Sequence, residues 1–194
     1  MRPNLLRLII FVGVMGATLV TMAAKDNKTY EELFIEQFVD AYRQAYDQKD
    51  IFFISQVFSE QALIVTQTMT LRTTEKTYKN RGKRYVVVTE TKKKYLKRLK
   101  EIFDSSTYLR LEVSVPIIEE HKKFKGLYGV YFTQRWEGDS PRAFSGELHQ
   151  KGCILLIIDF SSSKIEPTIH VRTWQPDEVL KTERKFHLYD FDIL

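Results

Sequence analysis

Helical spacing early in the chain, strand-like alternation later and one helix set between strands predict an α+β fold. The expected architecture is N-terminal helices packed on a curved, mostly antiparallel sheet that forms a cone. Three observations carry this. YEELFIEQFVDAYRQAYDQKD puts Phe34, Phe38, Ala41, Tyr42 and Ala45 on one stripe, with Glu31, Asp40, Arg43 and Gln44 largely off it, which is the spacing of an amphipathic helix. KKKYLKRLKEIFDSS returns to that spacing through Tyr95, Leu99, Ile102 and Phe103. YLRLEVSVPIIEE, LYGVYFTQRW, GCILLIIDF and TIHVRTWQ then follow as four strand-like segments between charged or Gly/Ser/Pro-bearing turns. Helices and strands do not alternate strictly, as a parallel sheet would need.

The elements follow in order. MRPNLLR supplies Arg2 and Arg7, LIIFVGVMGATLVTM is apolar and uncharged, and Thr21 and Ala23 hold the small-residue positions just before Ala24 in the following AAKDNK. A basic start, an apolar middle and a small-residue exit read as a secretory signal peptide over 1–23, with a single domain over 24–194. The expected location is periplasmic or cell-surface. The apolar run of roughly 17 residues also leaves an uncleaved membrane anchor as the alternative. Thr29 is an expected N-cap, with Glu32 completing a capping box, and Asp50 caps a second, shorter helix, IFFISQVF. QALIVTQTMTLRTT is β-branched and alternating, and NRGK supplies a turn before KRYVVVTET, so a basic hairpin is expected there.

Charge is uneven along the chain. The net +5 conceals twelve Lys or Arg against two Glu between Arg72 and Lys100, a local +10 that leaves −5 for the rest. Arg81, Lys83, Arg84, Lys92, Lys93 and Lys94 are its candidate contacts to an anionic surface or glycan. For an exported protein, nucleic acid is the least expected polyanion. A solvated helix face beside a lysine-protected hairpin explains the same block without a ligand.

FVDAYRQAYDQKDIFFISQVFSEQALIV resembles the opening of the nuclear transport factor 2-like superfamily, the ketosteroid isomerase-like or cystatin-like cone. KKYLKRLKEIF, YGVYFTQRW, IHVRTWQPD and the closing FHLYDF resemble a narrower group of exported proteins from Bacteroidetes. The likeness runs from Tyr30 to Leu194. It implies a cone-shaped fold that hosts enzymes such as ketosteroid isomerase and scytalone dehydratase beside many non-catalytic binding or dimerisation modules, so the fold does not fix the function.

Candidate chemistry is sparse. On a regular strand His170, Arg172 and Trp174 share one face, as do Val130, Phe132, Gln134 and Trp136. In one reading His170 is a general acid or base in the hollow and Arg172 clamps a carboxylate. In the other, Arg172 stacks on Trp174 or Trp136 and closes the last strand before Pro176. Asp159, at the end of a hydrophobic strand, is a candidate base or a turn cap. The tyrosine and second acid that the isomerase resemblance would add match no positions here. His121, His149, His170 and His187 are isolated, and Cys153 stands alone in an apolar run. No metal site and no cofactor is therefore expected, and no phosphate loop or nucleophile elbow is visible.

These readings converge on an exported, non-catalytic module. It would bind a small apolar or amphipathic ligand or another protein at Gln134, Trp136, Arg172 and Trp174, and a homodimer through the sheet fits the same plan. The alternatives are an acid–base isomerase or dehydratase using His170 or Asp159, and a polyanion binder using the basic region.

Overall fold

The computed structural model describes residues 28–71, 83–139, 151–160 and 167–177. The expected leader, the NRGK turn with Arg81, and the closing FHLYDF lie outside the described residues. The chain divides into two compact units, one ending at Tyr42 and one beginning at Arg43.

The first unit holds most of α1, the helix Tyr30–Asp47. Its expected capping box is present: Glu32 N–H donates to Thr29 Oγ1 at 3.2 Å, and Thr29 N–H donates to Glu32 Oε2 at 2.8 Å. Glu31 and Glu32 in the first turn suit the positive end of the helix dipole. Phe34, Phe38, Ala41 and Tyr42 are buried as the stripe predicts, and so are Leu33, Ile35 and Val39 beside it.

The second unit begins in the last turn of α1. Lys49 has φ 57°, and around it Asp50 N–H donates to Ala45 O (2.7 Å) while Lys49 N–H donates to Tyr46 O (3.1 Å). That pair of bonds closes a helix with a left-handed residue. Asp50 then caps α2 (Ile51–Val57) by accepting from Phe53 N–H at 2.9 Å. Strand β1 (Phe58–Leu71) follows at once, then β2 (Lys83–Thr91) and α3 (Lys92–Ser105). The remaining strands are β3 (Leu109–Val113), β4 (Ile117–Glu120), β5 (Leu127–Gly138), β6 (Lys151–Asp159) and β7 (Thr168–Pro176). YLRLEVSVPIIEE is thus two strands rather than one. Its break holds Pro116, which has no N–H for the ladder, and Ser114 instead bridges to β5 through Thr133.

The sheet order is β2-β1-β7-β6-β5-β3, with β4 also paired to β5. Among the described strands only β1 and β7 run parallel. β6 is buried on both faces from Gly152 to Ile158, which explains why CILLII is continuously apolar rather than alternating. One face of the sheet turns toward α3, which packs on β1 and β2. Across that face run two rows, Val130–Leu156–Arg172–Ile64 and Phe132–Ile154–Trp174–Thr66.

Helix α3 starts with Thr91 as its N-cap. Its first residue corrects the expectation of an exposed lysine run: Lys92 is buried, at 9% exposure. Its Nζ donates to Phe58 O at 2.8 Å and to Glu60 Oε1 at 2.6 Å. The aliphatic stem reaches back under the start of β1 so that the ammonium can tie it to the helix. Lys93 and Lys94 are exposed. Lys92→Met should therefore cost about 1–3 kcal/mol in denaturant unfolding. Lys93→Glu and Lys94→Glu should stay within about 0.5 kcal/mol of wild type, because an acid in the first turn suits the dipole. Equal losses at all three positions would refute this division.

Candidate functional site

IHVRTWQPD looks like a regular alternating strand, and a bulge breaks it. Ile158 pairs with Ile169 but Ile157 pairs with Val171, so His170 is the inserted residue. Ile169 is fully buried on the helix-facing side with Arg172 and Trp174, whereas His170 points to the opposite side and is exposed. The expectation that His170 shares a face with Arg172 and Trp174 is thereby corrected. A bulge places two successive side chains opposite one partner and resets the alternation.

On the helix-facing side Arg172 is 0% exposed, with Cζ 5.2 Å from the centroid of the Tyr95 ring. The expected stacking partner was a tryptophan; the ring beneath the guanidinium is instead a tyrosine of α3. Arg98 lies 5.3 Å from the same ring and grips Glu90 through Nη2 and Nε at 2.7 and 3.1 Å. Tyr95 and Tyr46 join hydroxyls at 2.5 Å, and the Tyr46 ring lies 5.2 Å from that of Trp136. An unbroken path of aromatic and cationic side chains therefore runs from Arg172 to Trp136.

Beside it stands a group of buried polar atoms without partners. Gln134 (2% exposed), Trp136 (1%) and Trp174 (0%) are interior. Among the described residues, Gln134 Oε1 and Nε2, Trp136 Nε1 and Trp174 Nε1 accept and donate no hydrogen bond. β5 and β7 are not neighbours, because β6 lies between them. Gly152 of β6 brings them together. It sits directly across from Gln134, and a Cβ there would come within 2.7 Å of Trp174 Cε2 and Nε1. The Trp174 indole therefore fills the place of the missing side chain, on the strand position across from Gln134.

The opposite side has a different character. His170 Nε2 and Asp159 Oδ2 are 3.5 Å apart, with the histidine half-exposed. Cys153 is buried, its Sγ 4.0 Å from Asp177 Oδ1. Burial, and then the hydrogen bond with Cys153, pushes the Tyr131 hydroxyl well above its ordinary range. Gln175 Nε2 donates to Gln67 Oε1 at 3.0 Å and links β7 to β1. In the basic region Lys100 pairs with Asp104, and the side chains of Arg81, Lys83 and Arg84 fall outside the described part. Among the described residues no cluster of three or more His, Cys, Asp or Glu could hold a metal ion.

Sequence reasoning placed Gln134 and Trp136 together and Arg172 with Trp174. Tyr46 escaped it. One signal was available: Tyr46 continues the Tyr42 stripe by four residues, and a tyrosine on a buried stripe needs a partner for its hydroxyl.

Comparison with solved structures matches this architecture. A nuclear transport factor 2 superfamily protein from Salmonella enterica superposes with a TM-score of 0.52 at 11% identity, covering 81% of this chain and 94% of that one. The chain has the nuclear transport factor 2-like fold. Aln2 from a Streptomyces species gives 0.50 at 15% identity, covering 79% of this chain and 96% of its own. Bd1075 of Bdellovibrio bacteriovorus gives 0.51 at 18% identity over 73% of this chain, which spans only 40% of the Bd1075 chain. No protein-family model and no curated protein matches the sequence. At these identities the likeness is one of fold, and the site rests on the chain's own residues.

The orphaned amide makes a stability prediction with an unusual sign. Gln134→Leu keeps the volume and removes two buried, unbonded atoms, so the melting temperature should rise, by the equivalent of about 1–3 kcal/mol. A lower melting temperature would show that Gln134 holds the fold together.

Proposed function

We propose that the protein is an exported, non-catalytic module that binds a small amphipathic ligand on the helix-facing side of its sheet, with Gln134, Trp136, Trp174 and Arg172 as contacts. The observation that carries this reading is the set of four orphaned buried atoms on Gln134, Trp136 and Trp174. Native interiors rarely leave such groups unbonded, whereas ligand sites gather a few convergent polar groups within an apolar lining. The apolar or aromatic neighbours of these residues, Phe132, Ile154, Leu111 and Tyr46, are all buried. The buried setting favours a small molecule over a second protein chain.

The acid–base alternative is less favoured. His170 and Asp159 would have to act from the side opposite the cluster. The polyanion alternative draws on Lys93 and Lys94, while Lys92, Arg98 and Lys100 already bond to Glu60, Glu90 and Asp104.

Trp136 and Trp174 are the only tryptophans in the chain, so tryptophan emission, excited selectively beyond the tyrosine band, reports this cluster alone. A screen of flat amphipathic compounds should find saturable changes in emission that Gln134→Leu weakens. No saturable change across the screen would sink the binding reading. Export is tested separately: mass spectrometry from the native host should find a terminus near Ala24, and membrane-embedded protein still starting at Met1 would overturn it.

A further inference from the structure

The geometry points to a planar amide as the head group of the ligand, either an open carboxamide or a ring-borne lactam or imide. This rests on the binding reading above and sharpens it from amphipathic ligand to a chemical class.

The inference comes from the hydrogen-bonding inventory of the orphaned atoms. Gln134 is 2% exposed and leaves both Oε1 and Nε2 without partners. Its bound partner must therefore offer a donor and an acceptor side by side. An ionised carboxylate or phosphate offers acceptors only and leaves Oε1 unsatisfied. An ammonium offers donors only and leaves Nε2 unsatisfied. A planar amide offers N–H and C=O along one edge, the complement of the glutamine's own. Turning the Gln134 amide by 180° exchanges its donor and acceptor and leaves this requirement unchanged.

The indoles add to the pattern. Trp136 lies two residues along the same face of β5, and the Trp174 indole lies over Gly152, directly across from Gln134. Each Nε1–H can only donate, so each asks for an acceptor, which the second lone pair of one carbonyl or the second carbonyl of an imide supplies. Arg172 stands apart from this requirement, one row further along the sheet above Tyr95. A site built to bond an N–H rejects an analogue lacking it, because its own buried groups then stay unpaired.

The test uses four compounds with one flat body and different heads, titrated calorimetrically into the whole protein: naphthamide, naphthalimide, naphthoate and methylnaphthalene. At least one of the two amides should bind about 10-fold or more tighter than both naphthoate and methylnaphthalene. Which amide wins tells an open from a ring-borne head. Gln134→Leu should bring all four within about 2-fold of one another, and Trp174→Phe, which keeps an aromatic face without the N–H, should narrow the same gap. Naphthoate or methylnaphthalene binding as well as the amides would overturn the head-group inference and leave the binding reading standing. An amide preference that survives Gln134→Leu in a folded variant would overturn it too. If water alone satisfies these atoms, none of the four binds and both readings fall.

Discussion

Tyr95 is the point on which the second unit turns. Its ring lies against the wholly buried guanidinium of Arg172, a second guanidinium from Arg98 approaches it, Phe58 meets it edge-on, and its hydroxyl bonds that of Tyr46. One side chain therefore ties α3 to the start of β1, to the middle of the sheet and to the last turn of α1. A buried cation is tolerated only where its surroundings repay part of the lost hydration, and an aromatic face does so in part. The same ring orients the path that leads through Tyr46 to Trp136. The polar cluster thus borders a rigid scaffold instead of a loop.

Tyr95 fixes that site from the helix side and the bulge at His170 fixes it from the sheet side. Without the inserted residue, the alternation that places Arg172 and Trp174 inward would send Ile169 outward and His170 inward. The bulge lets one strand end on the inner face with an apolar residue and still present arginine and tryptophan there two turns of the pleat later. It also removes the histidine of the segment from the helix-facing side that carries Gln134. The cluster left behind is built from hydrogen-bond donors, an amide and aromatic faces, groups suited to recognition more than to proton transfer.

What could be read from the sequence was what local physics decides. The Thr29–Glu32 box, the Asp50 cap and the stripes through Phe38 and Leu99 depend on residues three or four apart, and they stand as expected. The shared face of Gln134 and Trp136 follows from strand alternation alone. Non-local choices were hidden. Nothing in IHVRTWQPD marks the bulge, because the register of β7 is set by two strands from elsewhere in the chain. KKK gives three chemically equal lysines, and only the nearness of Phe58 O and Glu60 selects Lys92 for burial. Gly152 opens the strand-like segment GCILLIIDF, and nothing there marks the close indole, which belongs to another strand. The orphaned state of Gln134 has no signature in sequence at all.

The sheet order has a consequence in time. Strands β1 and β2 form one antiparallel pair, and β3 to β6 are joined through β5, yet β7 alone lies between β1 and β6. The strand that unites the two halves is the last of the described strands, and its parallel pairing with β1 spans most of the chain. Such distant contacts close slowly, because the entropy of the intervening loop is lost before the pairing rewards it. Synthesis delivers both halves before their keystone, so in a nascent chain ending short of residue 168 the β1 and β6 edges lack the strand that joins them. The completed sheet, with Arg172 and Trp174 in it, assembles only once the residues of β7 are present.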